Sequence, residues 1–382
     1  MNTVSINKEL ISWARQRAGL EVTDLLKLFP KFVEWEQGTS APTLNQLEKL
    51  ARKMCAPLGY FFLPKPPEEK LPIPDFRSVD DAPIQQPSPD LLETVFMMQR
   101  RQAWFRDFII EEGAEPLAFI GSANMGKSPE EIAKDMRAVF GIKAHWAAAF
   151  KTWKDAFGSL WLNAEQAGVL VVCNGIVGFN TSRILDVEEF RGFVLPDSFA
   201  PLVFINNADA KAAQMFTLAH ELAHLWLGSA GVLNFRQLEP SDNKTEKFCN
   251  QIAAEFLVPS DELNKIWGEN NSFYSLSAHF KVSPLVGARR VLDAGLIGRD
   301  EFFKFYNTYM SNVQLQKEAR RAKESGGNFY NNCDFRIGRP FAGTIARAVK
   351  GGKLLYRDAY KLTGLQGTTF DKYVLKISGE GG

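Results

Sequence analysis

His220-Glu221-Leu222-Ala223-His224 is the stretch that decides how this chain reads. On a helix, residues i and i+4 lie on one face, so His220 and His224 reach a single metal ion. Glu221 stands beside them, placed to take a proton from metal-bound water, the H-E-x-x-H arrangement of metal-assisted peptide hydrolysis. The chain has four histidines, and two of them fall here. A bare H-E-x-x-H also occurs on solvated helix faces, so the surrounding pattern has to carry the reading.

Leu218, Leu222 and Leu225 give an apolar stripe at helical spacing, and Gly228 supplies a C-terminal stop. Upstream, Leu202-Val203-Phe204-Ile205 is a short, partly β-branched apolar run that reads as a buried strand. A strand leading into such a helix suits a zincin-like site, in which an edge strand pairs with an extended peptide. The strand at 202–206 is expected to be that edge.

A catalytic zinc site uses three protein ligands and keeps one position open. The third ligand is expected on a second helix, over 245–259, where Phe248, Ile252 and Phe256 form an apolar face and Pro259 ends the helix. Glu246 and Asn250 lie four apart on one face of it. Glu246 reads as the third ligand, with Asn250 orienting a ligand histidine from behind. Glu246 also reads as a capping-box glutamate, because Asn243 precedes it by three, and Glu255 is an alternative ligand.

With these elements in place the chain resembles the ImmA/IrrE family of metallopeptidases, in the version fused to an N-terminal Xre-type helix-turn-helix. The resemblance rests on Glu189-Phe190-Arg191-Gly192-Phe193, LVFIN at 202–206, FTLAHELAHL at 216–225 and EKFCNQIAAEFLVP at 246–259. It extends to AHFKVSPLVGARRVLDAGLI at 278–297, WEQGTSAPTLNQLEKLA near the N-terminus and PDFR at 74–77, and so spans nearly the whole chain. It implies His220, His224 and Glu246 as ligands of Zn2+ (or another divalent ion such as Mn2+) and Glu221 as the catalytic base. Cys249 departs from the family's common alanine and is expected to be structural.

The fold expected is α+β and mostly helical. It comprises an Xre-like helical domain over 1–64, a proline-rich linker over 65–90, a zincin-like metallopeptidase core with a small sheet over 91–300, and a helical C-terminal segment over 301–382. The PDFR segment is expected to dock on the body, and the chain to close with a glycine-rich end. A chain of 382 residues accommodates such domains. Net charge is +1, so no global field draws it to nucleic acid or membrane. The N-terminus lacks the apolar run of a signal peptide, and no stretch is long enough to span a bilayer. Cys55, Cys173, Cys249 and Cys333 form no C-x-x-C pair, which points to reduced thiols and a cytoplasmic protein.

In the N-terminal part, Leu10 to Arg17 reads as a helix, and Trp35-Glu36-Gln37-Gly38 as a turn. Phe29-Pro30-Lys31-Phe32-Val33 stands where a helix-turn-helix would carry polar, base-reaching residues, so its DNA-reading part looks eroded. The tetrahedral oxyanion of peptide hydrolysis needs a donor besides the metal, and His279, Tyr274 and Arg191 are the candidates. His279 reads equally as a packed or surface histidine, Arg191 as half of a structural ion pair, and His145 as structural. By resemblance, the substrate is an extended segment of an Xre-type DNA-binding repressor, added as a strand beside LVFIN, in stress response or mobile-element regulation. Two other readings are an antitoxin that acts by binding a cognate toxin, and a DNA-binding transcriptional regulator with a sensor domain. An intact Glu221 and a three-ligand set favour the enzyme, because a purely structural zinc site closes with a fourth ligand.

Overall fold

The structure, a computed structural model, describes residues 3–69, 87–229, 231–233, 244–320 and 329–377. The expected docking of PDFR, the Asn243 cap and the glycine-rich end lie outside them. The described residues fall into two compact units, one formed by 3–69 and 87–96, the other by 97–377.

The first unit holds α1 (Lys8–Arg17), α2 (Val22–Leu26), α3 (Phe32–Gln37) and α4 (Leu44–Lys53). Leu10, Ile11, Ala14, Leu25, Leu47 and Leu50 close its core. Phe32 and Trp35, both on the six-residue α3, are buried in the same core, which explains the apolar character of the stretch after Pro30. Trp35 to Gln37 are the last turn of that helix, and the expected turn narrows to Gly38, whose φ of 77° suits glycine. Thr43 and Gln46 form a reciprocal capping box at the start of α4.

Helix α5 (Pro89–Glu111) begins among the first unit's residues and continues into the second, followed by α6 (Pro129–Val139) and α7 (Trp153–Gln166). The strands come next: β1 (Leu170–Asn174), β2 (Ile176–Val177), β3 (Asn180–Ile184), β4 (Gly192–Leu195) and β5 (Leu202–Asn206). Then come α8 (Lys211–Leu227), β6 (Gly231–Leu233), α9 (Lys244–Leu257), α10 (Ser260–Asn270), α11 (Phe273–Phe280) and α12 (Pro284–Asp293). The chain continues through α13 (Arg299–Arg320), α14 (Phe329–Ile337), α15 (Arg339–Lys350), α16 (Tyr356–Thr363) and α17 (Gly367–Ile377). The protein is mostly helical with a small sheet, the α+β class its sequence implies.

The sheet runs β1-β5-β4-β6, with β1 parallel to β5 and the other pairings antiparallel; β2 and β3 form a separate hairpin. Successive side chains of a strand point to opposite faces. Val203 and Ile205 join Val171, Cys173 and Val194 in the core shared with α8. Phe204 faces the other way, stacked on Phe193 at 5.0 Å between ring centroids. Both faces of β5 are therefore covered, and its sequence is an unbroken apolar run. The strand order corrects one expectation: LVFIN is interior, hydrogen-bonded by β1 on one side and β4 on the other, and offers no edge to a peptide. Among the described residues, β6 pairs only with β4 and is the edge on the β4 side.

Helices α14 and α16 are tied to α5 through Arg101. Its buried guanidinium donates to the carbonyls of Arg336, Leu362 and Thr363, at the C-terminal ends of α14 and α16. Those carbonyls have no helical partner and lie at the negative ends of the helix dipoles, where a cation is stabilised. Burial lowers the Arg101 pKa to about 10, which leaves it charged at neutral pH. Among the described residues no helix is long and apolar enough to cross a membrane.

Candidate metal centre

Helix α8 is buried along almost its whole second half, and His220, Glu221 and His224 are enclosed with it. Leu218, Leu222 and Leu225 anchor it in the core, and Gly228 ends it in the left-handed conformation with φ 61°. Helix α9 packs along it, with Cys249, Ile252 and Phe256 in the shared core. That leaves Glu246 and Asn250 facing the histidines.

Three ligand atoms converge there. Nε2 of His220 and Nε2 of His224 are 3.0 Å apart, Glu246 Oε2 lies 3.1 Å from the first, and Glu246 Oε1 lies 3.3 Å from the second. Metal–nitrogen bonds of about 2.0–2.1 Å in a tetrahedral zinc site put neighbouring ligands about 3.3 Å apart, so the spacing fits one such ion. The far nitrogens are held as well. His220 Nδ1 is 2.9 Å from Asn250 Oδ1, and His224 Nδ1 is 3.0 Å from Ser229 Oγ. An amide oxygen only accepts, so the proton of His220 sits on Nδ1 and the Nε2 lone pair faces the cluster.

The electrostatics agree with that arrangement. Burial lowers the pKa of His220, against the pull of Glu246 and the hydrogen bond to Asn250. Burial works against ionisation of Glu246, but hydrogen bonds and charge from His220 and His224 outweigh it and hold the carboxyl well below the usual range. Glu221 is the odd member. Burial, reinforced by the negative Glu246, raises its pKa well above the ordinary carboxyl value, and among the described residues neither of its oxygens has a hydrogen-bond partner. A buried carboxyl group without partners is costly to keep.

Glu221 points at β4. A Cβ placed on Gly192 would stand 3.2 Å from Glu221 Oε1, 2.7 Å from Thr217 Cγ2 and 2.9 Å from the carbonyl oxygen of Phe204. Gly192 is opposite Leu233 of β6 in the register, so the carboxylate lies against β4, the interior strand that pairs with the edge strand β6. A cleft of about 1020 Å³ is lined in part by Thr217 and by Asn250, the partner of His220, while His220, Glu221, His224 and Glu246 themselves are not among its lining residues.

The structure sorts the other candidates. Arg191 and Tyr274 line this cleft, Arg191 in an ion pair with Asp209 at 3.5 Å and Tyr274 exposed. His279 is a correction: it does not line the cleft and joins His145 and Glu262 in a separate group. Glu255 is the second correction. Its carboxylate accepts from the backbone N–H and hydroxyl of Ser260 and pairs with Arg290, and it is absent from the ligand cluster. Cys249 is buried and takes no part in a disulfide. Two functional positions were not singled out from sequence: Ser229 as the partner of His224, and Gly192 as the glycine that admits Glu221. Gly228 held the signal for the first, because a left-handed cap turns the next residue back over the last turn.

Residues 164–292 match the family model of the IrrE N-terminal-like domain, the Peptidase M78 family, which is a metallopeptidase family. Residues 337–376 match a domain of unknown function. No curated protein and no solved structure matches the chain. The matched segment contains every member of the cluster and implies a peptidase of the ImmA/IrrE kind.

Proposed function

We propose that the protein is a zinc-dependent endopeptidase that cuts an extended segment of a protein substrate, with an Xre-type DNA-binding repressor as the substrate class. The observation that carries the reading is the pairing of a three-atom ligand cluster with a buried Glu221 that has no hydrogen-bond partner among the described residues. His220, His224 and Glu246 would hold the ion, with Asn250 and Ser229 fixing the imidazoles. When bound, the ion polarises the scissile carbonyl and makes water acidic enough to be deprotonated near neutral pH. Glu221 accepts the proton of the attacking water and hands it to the leaving amine. Arg191 and Tyr274, both on the cleft, are the proposed donors to the oxyanion.

A peptide would add as a strand to β6, not to the interior β5, which places its backbone along the edge nearest Gly192 and Glu221. The test is elemental analysis of wild type and Glu246→Gln, paired with capture of cellular proteins on Glu221→Gln. About one zinc at this cluster, weakened in Glu246→Gln, and a trapped repressor that the wild type cuts would support the reading. Wild type without metal, or a trapped toxin that is never cut, would move the assignment to a binding module.

A further inference from the structure

The chain has four histidines, and the fold divides them into two pairs, each with a glutamate. The first pair is His220 and His224. The second is His145, in the turn after α6, and His279, near the end of α11, joined by Glu262 from the first turn of α10. His145 and His279 are 134 positions apart in sequence, yet His145 Nδ1 lies 3.4 Å from His279 Nε2 and 3.2 Å from Glu262 Oε2. A ligand atom from each of the three lies within 4.8 Å of the others.

We infer that His145, Glu262 and His279 form a second site for a divalent transition-metal ion of the zinc class. These two separations match the roughly 3.3 Å between neighbouring ligands of a tetrahedral ion bound at about 2.0–2.1 Å. The geometry is also held in place from outside. The Glu262 carboxylate accepts from the backbone N–H of His145 at 3.1 Å, and its other oxygen lies 3.5 Å from Arg137 Nη2. Arg137 is itself tied to the carbonyls of Phe256 and Lys143. His145 adopts φ 56°, a left-handed backbone that non-glycine residues rarely take and that collects at functional positions. The two rings meet edge to face, 5.6 Å between centroids, with the nitrogens turned toward each other.

This site is more open than the first and shares its carboxylate with an arginine, so it binds more weakly. Its consequence lies in what it joins. An ion there would staple the turn after α6 and the start of α10 to α11, which carries Tyr274 and Ser277 on the cleft wall. It would thus fix one wall of the cleft without touching the reacting atoms.

The experiment is zinc titration of the full-length apo-protein by calorimetry, repeated with cobalt to read d–d absorption. Wild type should show two classes of site. His145→Ala/His279→Ala should lose the weaker class and keep the tighter one, and His220→Ala/His224→Ala should do the reverse. Glu262→Gln should weaken the second class by about 10–100-fold, and circular dichroism checks that each variant is folded. Unchanged stoichiometry in a folded His145→Ala/His279→Ala variant would overturn the second site. Loss confined to the His220/His224 variant would overturn it too, while leaving the peptidase reading intact. A second class that persists in His220→Ala/His224→Ala supports it even if no substrate is ever cut.

Discussion

The carboxylate of Glu221 occupies the space beside Gly192: a methyl group built on that glycine would stand 3.2 Å from Glu221 Oε1. The same methyl would meet Thr217 Cγ2 at 2.7 Å and the backbone oxygen of Phe204 at 2.9 Å. A side chain can swing away, but a strand carbonyl within a sheet cannot. Gly192→Ala must therefore shift β4 or α8, at a cost of about 1–3 kcal/mol for an overpacked core. Thermal melting should show that loss, and peptide cleavage should fall by more than stability alone explains, because Glu221 is displaced. A variant as stable and active as wild type would refute the close approach.

Glu221→Gln should separate binding from chemistry. The amide is nearly isosteric and lies outside the ligand cluster, so zinc content should stay at the wild-type level. Cleavage should drop by at least about 10²-fold, the usual contribution of a proton-transferring group. If the variant still cuts at the wild-type rate, Glu221 is not the base.

The partners of the far imidazole nitrogens should be felt in metal affinity. Asn250 Oδ1 accepts from Nδ1 of His220, and Ser229 Oγ stands 3.0 Å from Nδ1 of His224. Replacing such a partner typically costs 10–100-fold in metal affinity. Asn250→Ala should lie toward the upper end of that range, because His220 is wholly enclosed, and Ser229→Ala should lie lower. Competition with a chelator measures both; affinities equal to wild type would show that the rings are oriented by packing alone.

These positions also show what was legible in the chain. The i, i+4 histidines, the Glu246/Asn250 pair and the Gly228 stop are local signals set by helical period, and each side chain lies where that period puts it. Strand order was not legible. LVFIN is apolar because both of its faces are covered, and face burial says nothing about which strands hydrogen-bond its edges. Contacts distant in sequence were hidden for a similar reason. His145 and His279 each look like a lone surface or packed histidine until the fold brings them together. Arg101, in the middle of a long helix, looks like one more solvated charge.

Arg101→Met should show what that charge does. The substitution keeps the stem and removes the donors to the carbonyls of Arg336, Leu362 and Thr363. Bonds to a charged group contribute about 1.5–3 kcal/mol each, with strong overlap when one group makes several, so a total loss of about 3 kcal/mol is expected. The loss should be local at first. Limited proteolysis should attack α14 to α16 before the metal centre is exposed, and zinc content should survive. Even digestion across the chain would mean that Arg101 does not hold the C-terminal helices.

Glu165 should give the second unit a distinctive pH dependence. It is 7 % exposed, its carboxylate accepts from the backbone N–H of Arg339 at the start of α15, and burial pushes its pKa up to about 8 despite that bond and the Arg339 charge. The unfolded chain releases this proton in the ordinary carboxyl range, while the folded protein keeps it until near pH 8. Between those values the folded state holds more protons, so stability falls as pH rises, by at most about 1.4 kcal/mol per pH unit at 25 °C. The contribution is complete below the unfolded value and gone once the pH passes the folded one. Glu165→Gln imitates the protonated form at every pH. It should match wild type near pH 4.5 and exceed it at pH 8, with the difference growing steadily across the interval. Denaturant melts of both proteins at several pH values measure this. A constant difference, or one that grows toward acid, would mean that Glu165 is ionised in the folded protein and that its bond to Arg339 outweighs its burial.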